Sequence, residues 1–137
     1  MNIDSELQIP FYQNLGKVFY AIAAADDSIH NDEVLKLQQL VNTEWLHLDE
    51  NKDKRAVESM RQIKVIFYQL AGQKRYAHEC LMEFKLFMSE NKQLFPEPIK
   101  QLIWKTSSAI ASSFSGNNKS ELILLAVLAG ILKEHVR

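Results

Sequence analysis

The sequence predicts an all-α fold: one domain over residues 1–137, a bundle of six to seven helices built from two similar halves. Three observations carry that expectation. Apolar residues recur at three- and four-residue steps along nearly the whole chain, the period of a helix with one buried face. No segment alternates apolar and polar residues for long, so strands are not expected. Two segments also align with each other at a fixed offset, the mark of a repeated helix–turn–helix unit. With 137 residues, 47% of them apolar, the chain has the size and composition of a single core.

Each element has its own signal. Phe11, Leu15, Val18 and Ile22 mark a first helix, and Val34, Leu37 and Val41 a second. After the polar connection TEWLHLDENKDK, a stripe of Ala56, Met60, Ile63, Phe67 and Leu70 marks a third, stopped at Gly72. Ala77, Cys80, Phe84, Phe87 and Met88 mark a fourth. FPEPIK restarts the chain, because proline suits the first turn of a helix and disfavours its interior. The fifth helix then carries Ile99, Leu102, Ile103 and Ile110. Beyond SFSGNN the last helix, 121–134, is apolar almost all the way round, which predicts a helix at the centre of the bundle.

Composition removes several function classes. Sixteen Lys and Arg stand against 17 Asp and Glu, so no summed field draws in nucleic acid or an anionic membrane. Cys80, the sole cysteine, excludes an internal disulfide and any multi-cysteine zinc site. Its place beside Phe84 and Phe87 makes it a core residue rather than a reactive thiol. MNIDSELQIPFY lacks the basic and apolar regions of a signal peptide. The longest apolar run, LILLAVLAGIL, has 11 residues, short of the roughly 20 that span a bilayer. The expectation is a soluble cytoplasmic protein with no stable membrane insertion. Oligomeric state is not readable.

A shift of 88 residues lays AIAAADDSIHNDEVLKLQQL over AIASSFSGNNKSELILLAVL without a gap. Ala21, Ile22, Ala23, Glu33, Leu37 and Leu40 then meet Ala109, Ile110, Ala111, Glu121, Leu125 and Leu128. The two copies span about 15–43 and 103–132, and each is a helix, a turn, and a helix with glutamate in its first turn. Similar halves of this kind are expected to pack face to face. The turns differ, since Asp26 and Asp27 align with Phe114 and Ser115.

The acidic turn of the first copy admits two readings. Asp26, Asp27, Asp32 and Glu33 fall within eight residues and repel one another unless solvated or neutralised by a cation. Helix capping is the other reading, because acidic groups in a first turn bond free N–H groups and favour the helix dipole. Asn118 to Glu121 fits a capping box, which makes Glu121 structural. His30 is a poor cap, whereas Asn31 or Asp32 could serve and leave Glu33 free. On the cation reading, Asp26 and Glu33 point into one small volume and share the ion with Asp27 or a backbone carbonyl, while Ile29 plugs the turn. Oxygen donors alone favour calcium or magnesium, held weakly.

The segment AAADDSIHNDEVLKL resembles the motif of the TerB-like proteins, which are associated with tellurite resistance and also occur as the amino-terminal domain of DjlA-type co-chaperones. Asp26 matches the motif aspartate, Ile29 its aliphatic position and Glu33 its glutamate, while Asp27 stands where the family usually has glycine. The resemblance implies an all-helical domain with two motif copies and divalent-metal binding through the acidic positions. In the second copy only Glu121 matches.

Other chemistries lack their residues. An EF-hand loop with Glu33 at its twelfth position would put Ile22 and Ala24 where oxygen ligands are required. His78 and Glu79 begin an H-E-x-x-H pattern, but Met82 stands at the second histidine. His47 and His135 have no visible partner, and KDKR and QKR are short basic clusters of a solvated face. No nucleophile and base pair can be named, so no enzyme is expected. Two readings remain: a TerB-like accessory protein that binds a divalent cation at Asp26, Asp27, Asp32 and Glu33 in a metal, tellurite or stress response, and a helical protein-interaction module that offers Trp45 or Trp104 to a partner.

Overall fold

The computed structural model describes residues 3–48, 54–113 and 119–133, and every regular element among them is helical. The α-helices are α1 (Ser5–Ala23), α2 (Asn31–Leu40), α3 (Lys54–Met60), α4 (Gln62–Gln73), α5 (Ala77–Glu90), α6 (Glu97–Ser112) and α7 (Lys119–Lys133). They share one apolar core, in keeping with a single all-α domain. Their order follows the sequence periods, with three departures.

The first is at the centre of the bundle. The central helix is α1, which packs against α2, α3, α4, α5, α6 and α7. Its residues from Val18 to Ala23 are all buried. Glycine lets α1 approach α4 closely: a Cβ at Gly16 would lie 2.7 Å from the Ile63 carbonyl oxygen. The final helix was expected in that place. Instead α7 buries Leu124, Leu128, Ile131 and Leu132 on one side and leaves Leu122 and Ile123 about 60% exposed. Apolar composition made α7 fit to be enclosed, but no helix among the described residues covers its outer side.

The second departure is the stretch after α2. TEWLHLDENKDK looked like a polar connection, yet α2 continues into a π-helical turn, Val41–Trp45, and a 3₁₀ turn, Leu46–Leu48. Trp45 is fully buried and donates its indole N–H to Thr106 Oγ1 of α6 at 2.9 Å. It therefore cannot be the exposed anchor the interaction reading required. Trp104, 39% exposed, remains at the surface.

The third is the long apolar stripe, which breaks at Arg61 into α3 and α4. The stop lies beyond Gly72, at Lys74, which takes the left-handed conformation (φ 52°) that ends many helices. The Tyr20 hydroxyl donates to the Arg75 carbonyl at 2.7 Å and ties α1 to this corner. Cys80 is fully buried in the core, and burial pushes its thiol pKa up, which suits packing rather than reactivity.

Candidate functional site

The turn between α1 and α2 is built from short-range bonds. After Ala24 the chain passes through Asp27 in the left-handed conformation (φ 66°), the position where glycine would meet no steric cost. Asp26 Oδ1 accepts the Ser28 backbone N–H at 3.1 Å, which fixes the bend. Its other oxygen lies 3.7 Å from His30 Nε2. Ile29 is half-buried and packs on the core, as the plug reading expects.

His30 itself, not Asn31 or Asp32, is the residue that precedes α2, and its backbone N–H donates to Glu33 Oε1 at 2.8 Å. Glu33 is therefore not free: one oxygen caps its own helix. Its side chain is nonetheless fully buried, and Oε2 meets no N–H or hydroxyl donor among the described residues. What faces it is the carboxyl of Glu121, in the first turn of α7. Asn118 lies outside the described residues, and with it the capping box expected from Asn118 to Glu121.

Two carboxyl groups enclosed together cannot both ionise cheaply, and both are shifted accordingly. Burial is the main cause for each. Glu121 is pushed up to about 8, first by burial, then by its hydrogen bond with Glu33 and the charges of Glu33 and Asp26. Burial raises Glu33 as well, against hydrogen bonds from Glu121 and the His30 N–H that lower it. Enclosure thus favours a proton shared by the pair, and Glu121 carries the larger upward shift.

Asp26 is half-buried and close enough for its charge to act on both glutamates. Asp27 is exposed and lines two hollows on other sides of the turn, one with Tyr20 and Arg75, the other with Tyr76 and Ile123. Asp32 is exposed on α2. Among the described residues no three histidine, cysteine, aspartate or glutamate side chains gather into a metal-holding group. The enclosed donors are Glu33 Oε2 and the Glu121 carboxyl, both hard oxygens.

Sequence reasoning treated Glu121 as a cap and left it out of the candidate site. The 88-residue offset was the signal that could have placed it there, because it sets Glu121 against Glu33. Some matched positions share burial: Ile22 and Ile110 are fully enclosed, as are the two glutamates to within 2%, whereas Ala21, Ala23 and Leu37 are buried and Ala109, Ala111 and Leu125 only half-buried. Helices of the two segments also cross-pack, α1 on α6 and α7, and α2 on α6.

Fold and site together define an all-α bundle that encloses a carboxyl pair between the first turns of two helices. Comparison with family models, with curated proteins and with solved structures gives no match. No helix among the described residues is long and apolar enough to cross a membrane.

Proposed function

We propose that this protein is a non-enzymatic, TerB-like accessory protein that takes up a divalent cation weakly between α2 and α7, in a metal, tellurite or stress response. The observation that supports this is Glu33 Oε2, buried without a donor and facing the Glu121 carboxyl. Such a contact needs either a proton or a cation between the oxygens. Asp26 adds a third negative charge nearby, and oxygen donors without sulfur favour calcium or magnesium. Because no three-ligand group is assembled among the described residues, water supplies the remaining ligands and the affinity is low. The TerB resemblance at Asp26, Ile29 and Glu33 supports the same reading, as does the contact of Glu33 with Glu121.

Calorimetric titration with calcium, magnesium and manganese chlorides tests the reading. The parent and Asp27→Asn bind at millimolar metal, whereas Glu33→Gln and Glu121→Gln do not. No binding by the parent, or equal binding by both glutamine variants, overturns it.

A protein-interaction module is the second reading. It is favoured by one observation: Leu122 and Ile123 face outward on α7, and Ile123 shares a hollow with exposed Tyr76. The double variant Leu122→Gln, Ile123→Gln would then lose a partner while keeping its cation affinity.

A further inference from the structure

The first turn of α7 faces two ways. Glu121 meets Glu33 of α2, and their carboxyls are in hydrogen-bond contact. Ser120 and Ile123, one position before Glu121 and two after it, line a hollow of about 470 Å³. Its other walls include Ala25 and Asp27 from the turn after α1, and Tyr76 and Glu79 at the start of α5. Ile123 is 61% exposed and Tyr76 71%, so the hollow keeps two large side chains of apolar character in water. The turn therefore stands between a buried acidic contact with α2 and an open cleft towards α5.

What occupies the acidic contact sets its length. A hydrogen bond between two carboxyls holds their oxygens about 2.5–2.7 Å apart. A calcium or magnesium ion stands about 2.0–2.6 Å from each oxygen, so two oxygens that share it lie about 3–5 Å apart. Glu33 has little freedom to supply the difference, because it is fully buried and its other oxygen accepts the His30 N–H. The displacement falls on Glu121 and the turn that carries it, whose helix packs on α6, α1 and α5 and has an open outer side. Shifts of about 1–2 Å are an ordinary size for a switching helix. We propose that a cation between Glu33 and Glu121 moves the first turn of α7 off α2 and towards the start of α5, which closes the hollow and covers Ile123 and Tyr76. This closure rests on the cation reading and adds its consequence: the cation-free protein offers an apolar surface that the loaded protein withdraws.

Calorimetry of the whole chain with calcium and magnesium chlorides reads occupancy, and emission of anilinonaphthalene sulfonate, a dye that reports exposed apolar surface, reads the hollow. Potassium chloride at equal ionic strength is the blank. Saturating cation weakens dye binding about fivefold, and by linkage the dye weakens cation binding by the same factor. Ile123→Gln keeps the cation heat and loses the dye response. Glu121→Gln loses both. Cation heat with unchanged or stronger dye binding overturns the closure and leaves the cation reading in place. No cation heat from the parent overturns both.

Discussion

The first helix pair, α1 and α2, and the last, α6 and α7, have similar sequences and different surroundings. Helix α1 is enclosed because α3, α4 and α5, which lie between the pairs in the chain, fold back onto it. Helix α7 packs on α6, α1 and α5 and keeps an open side. Their glutamates differ as well: Glu33 has an oxygen committed to the His30 N–H, while Glu121 carries the larger upward shift. A repeated pattern therefore sets which residues are apolar or acidic. Neighbours set what each one does.

Substitution of an isoleucine in each of α1 and α7 breaks this comparison most strongly. Ile22→Ala in α1 opens a cavity in a fully closed place and costs about 2–5 kcal/mol, whereas Ile123→Ala in α7 changes stability by no more than about 0.5 kcal/mol. Urea unfolding of the two variants measures the difference. Equal losses would mean that α7 is covered as fully as α1.

Glycines give the next contrast. Gly16→Ala pushes a methyl group against the Ile63 carbonyl and Ile66 Cβ at 2.7 and 3.0 Å, and costs about 1–3 kcal/mol. Gly130→Ala in α7 meets nothing within 4 Å and gains about 0.5–1 kcal/mol from helix propensity. Opposite shifts in melting temperature are the expected result.

The carboxyl pair gives a pH dependence. The folded protein holds the Glu121 proton to about 8, while the unfolded chain releases it near the ordinary 4.5. Stability from this group is complete below that lower value and falls as pH rises through the window, by up to about 1.4 kcal/mol per unit. Chelator-treated parent protein should melt progressively lower between these pH values, and Glu121→Gln, which cannot ionise, should flatten the trend. Glu33→Gln keeps a side-chain oxygen for the His30 N–H, so it should flatten the trend without the loss of a cap. Identical slopes in all three would remove the pair from the account.

Asp27→Gly is the smallest effect. Glycine adopts the left-handed conformation freely, so relief of strain offsets its larger unfolded-state entropy and the net change stays within about 1 kcal/mol, in the stabilising direction. The same change leaves the Glu33–Glu121 contact untouched, which makes it a control for the cation titration.

Much of the helix order was legible because amphipathic periods report local burial directly. Val18, Ile22, Phe67, Phe84 and Ile103 all lie in the core where their spacing put them. Trp45 was not, since its period is broken by a π-helical turn and its polar neighbours Glu44 and His47 mask a buried indole. Within the candidate site, Asp26 and Glu33 stood out as a local acidic cluster. Glu121 was visible only through the offset, because its partner Glu33 lies 88 residues away in the chain.

What the sequence by itself determined is therefore the set of helices and the segments that resemble each other: both depend on side-chain spacing within a turn or two of chain. Which helix became the centre, and which glutamate carries the larger upward shift, were decided by tertiary packing. Burial of a group depends on elements remote in the chain, and an ionisable group changes its chemistry only when those elements take its water away.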